Sequence, residues 1–150
     1  MIRNLSTRAI AIPLLTTLCF ATPALARDHE VQMVNKGTAG FMTFEPAFIQ
    51  VAPGDSVTFK PTNPSHNAES IETMLPTGAN KFKGALNKPI TVTFTKPGLY
   101  GYKCAPHLAM GMVGLVQVGN TADKATANVA AAKLPARAKG RMTALVNQAR

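Results

Sequence analysis

The sequence predicts a mainly β fold: an antiparallel β-sandwich of about seven to eight short strands followed by a C-terminal helical segment. Three observations point there. The 11 Gly and 11 Pro sit at turn-like positions roughly every ten residues. The segments between them alternate apolar and polar side chains, the period of a half-buried strand. After Gly119 that alternation stops and an Ala-, Lys- and Arg-rich stretch begins. With 150 residues, 46% of them hydrophobic and 15% charged, the chain suits one domain and is too apolar for disorder.

Residues 1–26 read as a cleavable export signal. Arg3 and Arg8 give a short positive start, an apolar run covers 9–21, and Ala24-Leu25-Ala26 forms the small-x-small pattern before a cut. The run falls short of the ~20 residues that span a bilayer. Removing the leader leaves 14 basic and 7 acidic residues, a net charge of +7, and a domain over 27–150. Cys19 leaves with the leader, so Cys104 has no partner in the chain. An exported protein meets an oxidising space, where a lone thiol must be buried or hold a metal.

The strands follow in order. Residues 29–34, 41–44 and 47–51 each show apolar alternation, the last two separated by Glu45-Pro46. Pro53-Gly54-Asp55 is a turn before a strand at 56–60. Residues 61–65 form a loop leading to His66, and 73–89 read as a long polar loop. Ile90-Thr91-Val92-Thr93-Phe94 is the clearest strand. After Lys96-Pro97-Gly98, strands at 99–104 and 113–118 complete the sandwich, which occupies 27–119. In the tail, 120–150, a short helix over 125–133 precedes one begun by Pro135. Ala138, Met142, Leu145 and Ala149 then form an apolar stripe at helical spacing that caps the sandwich.

The chemistry lies between the last two strands, in Cys104-Ala105-Pro106-His107-Leu108-Ala109-Met110-Gly111-Met112. A thiol, an imidazole and two thioethers are soft or intermediate donors, suited to copper and not to magnesium or calcium. Tyr100, Tyr102 and Cys104 share one strand face, and Met112, Gly114, Val116 and Val118 share another, so each end of the loop turns a sulfur inward. His66 leaves a strand end and supplies a second imidazole. Together these give a trigonal His₂Cys set with a weak axial thioether. Taken singly, a lone cysteine is ordinarily a small buried hydrophobe and methionines are core fillers; their convergence argues otherwise. His29 is read as a bystander.

The C-x₂-H-x₄-M loop, the upstream His66-Asn67 and the strand pattern resemble the cupredoxins, the type 1 blue copper proteins. Gly40-Phe41-Met42-Thr43-Phe44-Glu45-Pro46, the Cys104–Met112 run and the helical tail are similar to the pseudoazurin branch. The resemblance covers residues 27–150 and implies a Greek-key sandwich or barrel binding one copper ion. It implies His66, Cys104 and His107 as strong ligands, and Met112, eight positions after the cysteine, rather than Met110, as the axial one. It also implies that Asn67 steadies the loop and hydrogen-bonds the sulfur, that Pro106 packs beside His107, and that Met42 lies near that histidine at the surface. Asn63-Pro64-Ser65 lacks a lysine associated with partner docking in this family.

The expected function is therefore that of a periplasmic one-electron carrier and not an enzyme. Filled protein positions leave no vacancy for substrate, unlike a catalytic metal site. Lys36, Lys60, Lys83 and Lys103 are expected to ring the exposed edge of His107 and attract an acidic redox protein such as a nitrite reductase, or a c-type cytochrome. Export argues against nucleic acid as the target of the basic charge. No membrane contact is expected after cleavage, and a monomer is expected. Two other classes compete: a copper chaperone or storage protein, which needs exchangeable coordination, and an enzyme with Cys104 and His107 as nucleophile and base.

Overall fold

A computed structural model describes residues 25–120 and 123–150; the leader expected at 1–26 therefore lies almost wholly outside the described residues. Eight strands form two sheets: β1 (Asp28–Gly37), β2 (Gly40–Glu45), β3 (Phe48–Val51), β4 (Ser56–Pro61), β5 (Glu69–Ser70), β6 (Ile90–Thr93), β7 (Gly98–Lys103) and β8 (Val113–Val118). One sheet runs β2-β1-β4-β6 and the other β3-β8-β7-β5. They face each other as a sandwich with open edges and do not close into a barrel. Among the described residues, no helix is long and apolar enough to cross a membrane.

The expected all-antiparallel pairing is corrected at two places. β1 pairs with β4 in parallel, and β3 pairs with β8 in parallel. Alternation reports which face of a strand is buried, not its direction. Here the chain leaves the first sheet after β2, crosses to the second as β3, and returns at Pro53–Asp55 to lay β4 alongside β1. Asp55 closes that return by accepting the Ala52 N–H at 2.9 Å.

The core between the sheets contains Val31, Met33, Phe44, Val57, Phe59, Phe94, Tyr100, Tyr102, Cys104, Met112, Val116 and Val118. Phe44 and Phe59 meet the Tyr102 ring edge-on, with centroids 4.7 and 4.8 Å away. The expected loop at 73–89 is pinned down. The turn Glu72–Met74 opens it, and Phe82 inserts beside Phe59 at 5.6 Å while exchanging hydrogen bonds with Ser70.

The tail forms α1 (Lys124–Ala131) and α2 (Ala136–Gln148). Asp123 caps α1, its carboxylate accepting the Thr126 N–H at 3.0 Å. The stripe expected on α2 is buried: Ala138, Met142, Leu145 and Ala149 pack with α1 against Leu99, Val113 and Leu115. Every residue of β8 is therefore buried, with alternate side chains entering the inter-sheet core and a second core beneath the helices. Gln117 fixes the far end of α2, donating to the Arg150 carbonyl and accepting the Arg150 N–H.

Candidate metal centre

Cys104 is the first residue after β7, and Met112 the last before β8. The Cys104 N–H bonds the Met112 carbonyl at 3.0 Å, so the sheet ladder continues one step and clamps the ends of the loop. Inside it, His107 donates to the Cys104 carbonyl, Met110 to His107, Gly111 to Leu108, and Met112 again to His107. Gly111 adopts φ of 86°, a left-handed conformation that suits glycine. His66 arrives from another route. Ser65, at φ of 73°, turns the chain after β4 and sends the imidazole inward, where it is fully buried.

These routes converge. His66 Nδ1 lies 3.8 Å from Cys104 Sγ, His107 Nδ1 lies 3.4 Å from that sulfur, and the two nitrogens are 3.2 Å apart. A point equidistant from the three atoms is about 2 Å from each, the length of a first-row metal–nitrogen bond and slightly short of ~2.3 Å for zinc–sulfur. The triangle thus fits a small transition-metal ion. Among the described residues it is the one group of three His, Cys, Asp or Glu side chains able to hold a metal. Met112 is fully buried in the same core as Cys104, whereas Met110 is 42% exposed.

The surroundings tune the donors. Burial, and then the neighbouring His107, holds the His66 pKa below its ordinary 6.5, which favours the neutral, metal-binding imidazole. Its other nitrogen, Nε2, donates to the Asn35 side-chain oxygen at 2.9 Å, which leaves the Nδ1 lone pair facing the cluster. Sequence reasoning missed Asn35, which lies 31 positions away. Burial pushes the Cys104 thiol up, opposed by the backbone N–H groups of Asn67 and His107. A bound cation would overcome that burial and deprotonate the thiol outright.

Asn67 is buried, and its side-chain oxygen accepts the Ala105 N–H at 2.8 Å while its amide donates to the Gly84 carbonyl and Glu69. It therefore ties the His66 segment to the cysteine loop with its side chain. Pro106 is exposed and His107 half-exposed. Met42 is half-buried against the inter-sheet core at φ of 49°, unusual for a non-glycine residue. His29 lies apart from the cluster, paired with Asp55 at 3.0 Å.

The lysines are more engaged than expected. Lys103 and Lys83 both reach Glu69, at 3.4 and 3.9 Å, and Lys60 lies 3.8 Å from Glu30. Lys36 lies over the exposed Phe41 ring, 6.0 Å from its centroid.

Comparison with known proteins agrees with this geometry. The family described as copper binding proteins, plastocyanin/azurin family, matches residues 31–119. A pseudoazurin of Paracoccus pantotrophus is 50% identical over 131 residues, covering 87% of this chain and 90% of that protein. A pseudoazurin of Methylorubrum extorquens is 46% identical over 124 residues, covering 83% and 78%. The solved pseudoazurin structure from Methylobacterium extorquens AM1 superposes with a TM-score of 0.75 at 40% identity, covering 81% of this chain and 98% of that one.

Proposed function

Because this chain belongs to the plastocyanin/azurin family of copper-binding proteins, we propose that it is a periplasmic one-electron carrier. Its cofactor is one type 1 copper ion. His66, Cys104 and His107 would hold the ion as strong ligands, with Met112 as a weaker fourth donor. The observation that carries this reading is the triangle of two Nδ1 atoms and one Sγ around a point about 2 Å from each.

Bound there, copper supplies a reversible Cu(II)/Cu(I) couple. The chain keeps the donors still while the charge changes. Asn35 fixes the His66 ring, Asn67 anchors the cysteine loop, and the Cys104–Met112 clamp closes the hairpin. Donors that do not rearrange keep the barrier to electron transfer low. With His66, Cys104, His107 and Met112 holding the ion, no place would remain for a substrate, which supports a carrier over an enzyme. Full burial of Cys104 also argues against a thiolate nucleophile, and burial of Met112 against a chaperone built for rapid copper release.

The half-exposed His107 edge is the proposed exit for the electron, with Met42 and Pro106 proposed to border it. Lys36, Lys60, Lys83 and Lys103 supply positive charge for an acidic redox partner, such as a nitrite reductase, approaching the monomer. The leader, cut after Ala26, delivers residues 27–150 to the periplasm as a sandwich (27–119) with a helical tail (120–150). One contact supports that cut. The Arg27 N–H lies 2.9 Å from Asp55 Oδ1, so cleavage there places a new ammonium group opposite a buried carboxylate.

The test is the visible and electron-spin spectrum of the mature chain with copper. An intense thiolate-to-copper band is expected, and Cys104→Ser abolishes it. A colourless copper complex of the intact protein overturns the assignment.

A further inference from the structure

We propose that Arg141, on α2, is a positioning residue for the metal loop: its guanidinium holds the Gly111 carbonyl, next to Met112, against the turn between β1 and β2. The inference rests on the copper-site reading above. Arg141 Nη1 donates to the Gly111 carbonyl at 3.0 Å and to the Met42 carbonyl at 2.9 Å. Nη2 donates to the Ala39 and Phe41 carbonyls, both at 3.1 Å. Four backbone acceptors from two distant segments thus share one planar, always-charged group, which suits arginine's fixed fork of donors. None of the four acceptors is a carboxylate, so the contact is not an ordinary ion pair.

The packing around it is close. A Cβ on Gly111 would meet Arg137 Cγ at 3.0 Å and Arg141 Cδ at 3.1 Å, so the stems of both arginines lie against the bare glycine backbone. Within the loop, the backbone at 111–112 is also held by Gly111 N–H to Leu108, Met112 N–H to His107, Cys104 N–H to the Met112 carbonyl and Val113 N–H to the Gly111 carbonyl. Among the described residues, Arg141 adds the one side-chain hydrogen bond to this backbone and ties it to Met42, whose left-handed backbone needs an external restraint. Because Met112 N–H bonds the His107 carbonyl, a shift at Gly111 passes to both the Met112 thioether and the half-exposed His107 imidazole. The C-terminal helices, which contribute no ligand, therefore set the position of two.

Arg141→Met and Arg141→Lys test this. In the copper-free protein, hydrogen exchange at the Gly111, Met112 and Val113 amides, read by nuclear magnetic resonance, is expected to speed up tenfold or more in Arg141→Met. Exchange in the β1-β4-β6 sheet is expected to stay near wild type. With copper, the position of the thiolate-to-copper band and the electron-spin parameters are expected to shift. Arg141→Lys keeps the charge and the stem but not the fork, and shows the same changes at smaller size, so the test survives if Arg141→Met fails to fold. Folded variants with wild-type exchange at 111–113 and an unaltered spectrum overturn the proposal, even if their melting temperature falls. A wild-type protein that lacks the blue band overturns the copper reading instead, and the exchange measurement still decides the role of Arg141.

Discussion

The side-chain oxygen of Asn35 accepts a hydrogen bond from His66 Nε2 at 2.9 Å, and Asn35 is held in turn by its own N–H to the Asn63 side-chain oxygen at 2.8 Å. One asparagine on β1 thus selects the tautomer of an imidazole from the other side of the loop it is bonded to. Partners of this kind around metal-bound histidines typically change affinity by about 10–100-fold when removed. Asn35→Leu is expected to weaken copper binding by about that factor. Competition against a Cu(I) chelator measures it, with circular dichroism confirming the fold. Wild-type affinity in a folded Asn35→Leu protein would remove the asparagine from the site.

Asp55 makes the stability of the far end depend on acid. The Arg27 N–H, then His29 and the Ala52 N–H, hold its pKa down from 3.8 to about 2. A carboxylate whose pKa is lower in the folded chain stabilises it above the unfolded value, and that stability is lost as pH falls through the folded one. The difference in melting temperature between wild type and Asp55→Asn is therefore expected to be full above about pH 4 and to shrink toward pH 2. A difference that is constant across this range would contradict the assignment.

Gly114 sits directly beneath Tyr102, and a Cβ there would fall among the atoms of the phenol ring. The ring is fully buried between Phe44 and Phe59 and has no room to yield. Gly114→Ala is expected to cost about 1–3 kcal/mol, the usual range for overpacking. The Tyr102 hydroxyl is buried and has no hydrogen-bond partner among the described residues. Tyr102→Phe, which deletes that oxygen, is expected to be neutral or stabilising by up to about 1 kcal/mol. Urea unfolding of both variants gives the answer; a strongly destabilised Tyr102→Phe would reveal a partner for the hydroxyl.

The salt dependence of electron transfer tests the basic surface. With an acidic redox protein as partner, the second-order rate is expected to fall as ionic strength rises, since charges more than about 8 Å apart are screened at 0.15 M. Lys36→Glu is expected to slow the reaction more than Lys83→Glu, because Lys83 already faces Glu69 at 3.9 Å. A rate unchanged from low to high salt would remove the steering idea.

The most legible parts of the chain were those whose chemistry is local. Cys104, His107 and Met112 lie within nine residues, and strand alternation turned the sulfurs inward without any long-range information. The stripe on α2 was equally plain, since a 3.6-residue period leaves its mark on thirteen residues. What stayed hidden depended on partners far along the chain. Asn35 carries no motif that announces a bond to His66. The parallel pairing of β1 with β4 leaves no trace in a face pattern. The two-residue strand β5 is too short to alternate, and it exists because β7 and Lys83 offer it partners. The lysines were visible as charges, but Glu69 and Glu30 beside them were not.

The strand that follows Met112 has no solvent side. Val116 and Val118 belong to the apolar layer facing the opposite sheet, Val113 and Leu115 to the one facing the helices. Neither layer can loosen without disturbing the backbone that carries the thioether. On heating, bleaching of the blue colour and melting of the helical tail should therefore coincide at one temperature, and trimming the tail would shorten the lifetime of the chromophore as well as the chain.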